Sequence, residues 1–185
     1  MSFEPVYNEH SRALILGTWP SPKSREMAFY YGHPQNRFWP VLAALTGEPV
    51  PAREDIEAKK QIILRHGLAL WDTLERCTIT GAADASIKDA VPNDIAALLE
   101  KAPIEAVFCN GATAYRIYTK YLQPVSGIAA VKLPSTSRQT LPAARKSCAK
   151  SGARLSCRGS TNDGQVVNYP VKDLRFSRGA VLWVT

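Results

Sequence analysis

The chain has 185 residues, 45% of them apolar, and a net charge of +7 from 23 Lys and Arg against 16 Asp and Glu. It is long enough for one domain with a real core, and it has no apolar run near the roughly 18 residues of a membrane span, so no such span is expected. The opening Met1-Ser2-Phe3-Glu4-Pro5 lacks the charged-then-apolar order of an export signal, which predicts a cytoplasmic protein.

Taken in order, residues 1–137 alternate strand and helix signals. Ala13 to Leu16 is an apolar run closed by Gly17, which predicts a buried strand. Phe38 to Leu45 starts a helix that Gly47 and Pro49 follow. Asp55 to His66 is a charged helix with Ile56, Ile62 and Ile63 toward a core. Gly67 to Trp71 is a second buried strand. Asn93, after Pro92, suits the cap of a helix from Asp94 to Lys101. Ile104 to Cys109 is a third strand, turned by Gly111 into a helix from Ala112 to Tyr121. Ile128 to Leu133 is a fourth, closed by Pro134. The alternation predicts a three-layer α/β/α fold around a mainly parallel four-stranded sheet. Ligands of such sheets bind beyond the carboxyl ends of the strands. That gathers the loops after Leu16, Trp71, Cys109 and Leu133 around one site.

From Arg138 the composition changes. Residues 1–137 carry 14 basic and 14 acidic side chains, whereas residues 138–185 carry 9 and 2, so the whole net charge lies in the tail. Only Ala180 to Val184 reads as a strand there. A boundary at Ser137 is therefore expected: a core domain over 1–137, then a divergent basic segment over 138–185, solvated or partly disordered. The cysteines Cys77, Cys109, Cys148 and Cys157 form no C-x-x-C pair and the three histidines are scattered, so no metal site is expected.

Two segments carry the chemistry. Gly17-Thr18-Trp19-Pro20-Ser21-Pro22-Lys23-Ser24-Arg25 follows the first strand, and a glycine there lets a ligand approach the backbone. Phe29-Tyr30-Tyr31-Gly32-His33-Pro34-Gln35-Asn36-Arg37-Phe38-Trp39 packs five aromatics among polar side chains, a composition suited to stacking a flat ring and reading its edge. Phe38 and Trp39 begin a helix and belong to the core; for Tyr30 and Tyr31 a base contact and a core anchor are balanced.

Leu14 to Leu42, LILGTWPSPKSREMAFYYGHPQNRFWPVL, resembles the first signature of the hypoxanthine branch of the uracil-DNA glycosylase superfamily. Gly67 to Asp72 and Phe108 to Tyr115 are similar to that family's second and third strands with the loop or helix after each. Leu133 to Ser137 is similar to the start of its serine-rich DNA-backbone loop. The resemblance stops at Arg138, where the family continues with proline and a final helix; a shifted reading frame or replaced terminus would account for that.

The resemblance implies metal-free, cofactor-free hydrolysis of the N-glycosidic bond of a deaminated base flipped from damaged DNA by a monomeric enzyme. Asn36 is the implied catalytic residue, against a loop-capping role. Asp72 is the second implied catalytic residue, its carboxylate reading the base, against a helix N-cap ahead of Thr73-Leu74-Glu75. Gly17, Thr18, Trp19, Tyr30, Tyr31 and Asn110 are the further candidates for the base pocket, Asn110 against a turn role before Gly111. Pro20, Ser21, Lys23, Ser24, Arg25, His33, Ser135, Thr136 and Ser137 are candidates for the DNA backbone. Two rivals stay open: a mismatch uracil/thymine glycosylase, and a catalytically impaired protein that binds DNA or damaged bases. A doubly wound nucleotide-binding protein is disfavoured, because no G-x-G-x-x-G follows the first strand.

Overall fold

A computed structural model of the chain describes residues 2–79, 87–137, 174–177 and 180–183. Its centre is a four-stranded parallel sheet in the order β2-β1-β5-β6, formed by β1 (Ala13–Gly17), β2 (Leu68–Asp72), β5 (Ala106–Asn110) and β6 (Ala130–Leu133). These are the four strands expected from the apolar runs. The period of two decides which layer each side chain joins. Ala13 and Ile15, Leu68 and Leu70, and Phe108 pack on one face with Trp39, Leu42, Ile62 and Ile63. Those partners come from helices α2 (Phe38–Thr46) and α3 (Ile56–Arg65). Leu14, Leu16, Ala69, Val107 and Cys109 face the other way, onto Ile95, Leu98, Ala114 and Tyr118. There α4 (Ile95–Leu99) and α5 (Ala112–Ile117) form the second helical layer. Each fully buried leucine stabilises this sandwich by about 1.5–3 kcal/mol.

Local chemistry sets the ends of the elements. Ser21 caps the short α1 (Pro22–Glu26), Asp55 caps α3, and Gly47, at φ 74°, closes α2 in the left-handed region. The N-terminal segment bonds Val6 to Leu70 in both directions at 2.9 Å, which covers the outer edge of β2.

Three expectations need correction. Asp94, not Asn93, caps α4, its carboxylate accepting from Ala97 N at 3.2 Å; Asn93 is buried in front of it. The helix expected to run to Tyr121 is α5, followed by a π-helical turn over Tyr118–Leu122 and α6 (Gln123–Ser126), with Pro124 interrupting the regular ladder. After Asp72 comes an antiparallel pair, β3 (Leu74–Ile79) with β4 (Ile87–Pro92), so Asp72 has no helix to cap. Downstream, β7 (Leu174–Ser177) and β8 (Ala180–Trp183) pair as a hairpin, and β8 matches the strand expected at Ala180. The other expectations for the segment after Ser137 lie outside the described residues. Among those residues no helix is long and apolar enough to cross a membrane.

Candidate active site

The four parallel strands end on one side, and the register brings their last residues level: Gly17 beside Asp72, and Asn110 beside Leu133. The loops that leave these ends are stitched together. Asn110 holds Thr136 at two points, Nδ2 donating to Thr136 Oγ1 at 2.9 Å and Oδ1 accepting from Thr136 N at 3.1 Å. The Thr136 carbonyl in turn accepts from Arg37 N at 3.1 Å. The segment containing Asn36, the loop Ser135–Ser137 and the end of β5 thus form one continuous wall.

Asp72 is the anomaly of this wall. It is 4% exposed, its Oδ2 is sealed from solvent without a hydrogen bond among the described residues, and burial alone accounts for its displaced ionisation. Burying a carboxylate unpaired is costly, so burial pushes the Asp72 carboxyl up from 3.8 to about 7. Its backbone is anchored instead: Asn93 Nδ2 donates to the Asp72 carbonyl at 2.8 Å, and Asn93 N donates to the Thr73 carbonyl at 3.1 Å. Sequence reasoning missed Asn93, because two consecutive cap-type residues, Asn93 and Asp94, gave no signal as to which would cap.

Gly17 is required by space at this point. A Cβ on it would lie 2.3 Å from Asp72 Oδ1 and 3.1 Å from the Tyr31 hydroxyl. The room that the sequence reserved for a ligand is therefore taken by two of the protein's own polar groups. Tyr31 stacks on Phe38 with ring centroids 3.9 Å apart, its backbone sits at φ 53°, and its hydroxyl is sealed from solvent without a well-formed hydrogen bond among the described residues, the Asn110 side chain being the polar group that faces it. Left-handed backbone is unfavourable for a bulky residue and marks a position that its surroundings over-determine. Burial, then the neighbouring Asp72 carboxylate, raises the ionisation of that hydroxyl above the ordinary tyrosine range.

The other candidates separate. Tyr30 lies near Asp72, but its hydroxyl is committed elsewhere: it is 2% exposed, and the hydroxyl donates to the Glu4 carbonyl at 2.9 Å, pinning the N-terminal segment to the core. Asn36 accepts at Oδ1 from Phe38 N at 3.0 Å, the loop-capping bond, while its Nδ2 makes no hydrogen bond among the described residues. Thr18 is held by its carbonyl, which accepts from Leu74 N, and Trp19 is half-buried beside it. Ser24 is buried rather than offered to solvent, and its hydroxyl accepts from Gly32 N at 3.1 Å. Lys23, Arg25 and His33 are exposed, while Pro20 is buried and Ser21 occupied as a cap. His33 Nδ1 accepts from Gln35 N, which puts the proton of a neutral ring on the outward Nε2. Ser135 Oγ accepts from Ser137 N at 3.2 Å and turns the last loop back on itself. Cys109 is buried, its thiol pushed up to about 12, so it is no nucleophile.

Four likenesses bear on this arrangement. The profile of the uracil DNA glycosylase superfamily matches residues 4–155, running past Ser137. The chain is 34% identical to the hypoxanthine DNA glycosylase of Methanosarcina barkeri over 110 residues, 59% of this chain and 69% of that protein. It is likewise 34% identical to the hypoxanthine DNA glycosylase of Methanosarcina acetivorans over 115 residues, 60% of this chain and 71% of the relative. A solution NMR structure from Methanosarcina acetivorans, assigned to the uracil DNA glycosylases, superposes with a TM-score of 0.64. It shares 32% identity and covers 74% of this chain and 83% of its own.

Proposed function

Since the chain belongs to the uracil DNA glycosylase superfamily, a family of base-excision repair enzymes, we propose that its substrate is deoxyinosine in DNA and its product free hypoxanthine and an abasic site. The names of both Methanosarcina relatives carry the base hypoxanthine. The observation that carries the reading is Asp72, at the carboxyl end of the sheet, a buried carboxyl whose Oδ2 has no hydrogen-bond partner among the described residues. Such a group is unsatisfied until something supplies a donor, and the N1–H of hypoxanthine is one.

The reaction is a displacement at the sugar. The bond from C1′ to the base breaks, the base leaves with the electron pair and takes up a proton, and water adds to C1′. Positive charge builds on the sugar and negative charge on the base, so donors near the base and a dry pocket lower the barrier. Asn36 supplies the donor: its Oδ1 already accepts from Phe38 N, which fixes the amide and leaves Nδ2 for the departing base. The target base enters by leaving the stack. Lys23, Arg25, His33, Ser135 and Ser137 grip phosphates around it, and the basic segment from Arg138 adds sequence-independent attraction. The enzyme acts as a monomer in the cytoplasm.

Purified full-length protein should release hypoxanthine from a deoxyinosine duplex without nicking the strand. Faster release of uracil or thymine from mismatches with guanine would reassign the substrate. Tight binding of such duplexes without any release would make it a binding protein.

A further inference from the structure

Two buried polar groups meet in this site, the Tyr31 hydroxyl and Asp72 Oδ2, each sealed from solvent and each without a well-formed hydrogen bond among the described residues, with the Asn110 side chain facing the Tyr31 hydroxyl. They are neighbours, since the Tyr31 hydroxyl and the Asp72 carboxyl both close on the same point beside Gly17, at 3.1 and 2.3 Å from where a Cβ would stand. They are nonetheless not bonded to each other. An unsatisfied buried polar atom costs about 1–3 kcal/mol, and this site holds one on each of two neighbouring side chains. What is held is the Asp72 backbone and the Tyr31 ring, which leaves the Asp72 carboxyl to turn toward the hydroxyl. Asn93 fixes the Asp72 backbone, and the stack on Phe38, with φ at 53°, fixes Tyr31.

We propose that Tyr31 is a positioning residue whose hydroxyl donates to the Asp72 carboxylate when a base is bound, so that it selects the ionised form of Asp72 as the reader. The inference rests on the reading of Asp72 given above. A ring N–H that approaches the carboxyl favours its charged form. The charged form is the stronger acceptor for a second donor, and the Tyr31 O–H is the donor at hand. The chain N–H to carboxylate to O–H is cooperative, each bond strengthening the other. A carboxyl that enters protonated releases its proton to solvent as the base binds. The titratable groups around the pair are Tyr30, whose hydroxyl is tied to the Glu4 carbonyl, and Cys109, whose thiol stays protonated. Neither competes for the proton near neutral pH.

Tyr31→Phe tests this, because it keeps the ring on Phe38 and removes only the hydroxyl. Single-turnover release of hypoxanthine should be followed from pH 5 to pH 9 in both proteins. In the parent the rate rises with pH through one ionisation to a plateau. In Tyr31→Phe that rise should move up by about one pH unit, the loss of one charge-assisted hydrogen bond, so that below it the variant is about tenfold slower. On the plateau the two should agree within about threefold. Superimposed profiles would overturn the proposal, and so would a uniform drop at every pH, which is what a buried bridging water or a purely structural hydroxyl predicts. A parent that releases no hypoxanthine at any pH would instead refute the proposed substrate, and this inference with it.

Discussion

Asp72 makes a prediction about stability that does not depend on substrate. In an unfolded chain its carboxyl ionises at about 3.8; in the fold it ionises at about 7, because burial penalises the charge. Between those values the folded state holds a proton that the unfolded state has released, so stability falls as pH rises through this window and levels off above it. At roughly 1.4 kcal/mol for each pH unit, the full displacement amounts to about 4 kcal/mol. Asp72→Asn removes the ionisation and keeps the shape. It carries its own constant cost of a buried amide, about 1–3 kcal/mol at every pH. The informative quantity is therefore the gap between variant and parent. From pH 5 to pH 8 it should move in the variant's favour by about 3 kcal/mol, which for a chain of this size is about 5–10 °C in Tm. Thermal unfolding of both proteins at four pH values between 5 and 8 measures it. A gap that stays constant over that range would show that Asp72 is not buried unpaired, and the account of the site would lose its foundation.

Other consequences are as direct. Gly17→Ala places a methyl group against Asp72 Oδ1 and should cost about 1–3 kcal/mol in denaturant unfolding; a neutral result would mean that Asp72 moves freely. Asn93→Ala strips the donor from the buried Asp72 carbonyl and should destabilise by about 1–3 kcal/mol, whereas Asp94→Ala, at an exposed cap, should cost about 1 kcal/mol. Asn36→Ala should slow single-turnover hypoxanthine release by about two decades with little change in DNA affinity; a loss within threefold would move the donor role elsewhere.

The sheet was legible because its strands are buried on both faces and so read as continuous apolar runs, Ala13 to Leu16 and Ala106 to Cys109 among them. The strand ends were legible for the same reason, and they located the candidate site. Which side chain enters it was not. Tyr30 and Tyr31 are adjacent and chemically alike, but a left-handed backbone at Tyr31 turns one into the core and the other toward Asp72, and nothing in the residue type of Tyr31 announces that turn. The capping alternative for Asp72 was a fair reading of Thr73-Leu74-Glu75, and it failed because β3 gains a partner, β4, that only the folded chain supplies. Ser24 looked like a phosphate contact by its neighbours Lys23 and Arg25. Its burial follows from its place on the inner face of α1, where Gly32 needs an acceptor.

The pairing of Gly17 with Asp72 on adjacent parallel strands has a consequence for anyone who would re-engineer the pocket. The two positions share one volume. A larger residue at 17 is admissible only if 72 shrinks, and a longer acid at 72 has nowhere to go while the backbone at 17 stays fixed. Libraries that vary one position at a time will therefore sample only losses there. On the proposed reading of Asp72, new base preferences have to be sought among coupled changes at 17, 72 and 31, varied as a single unit.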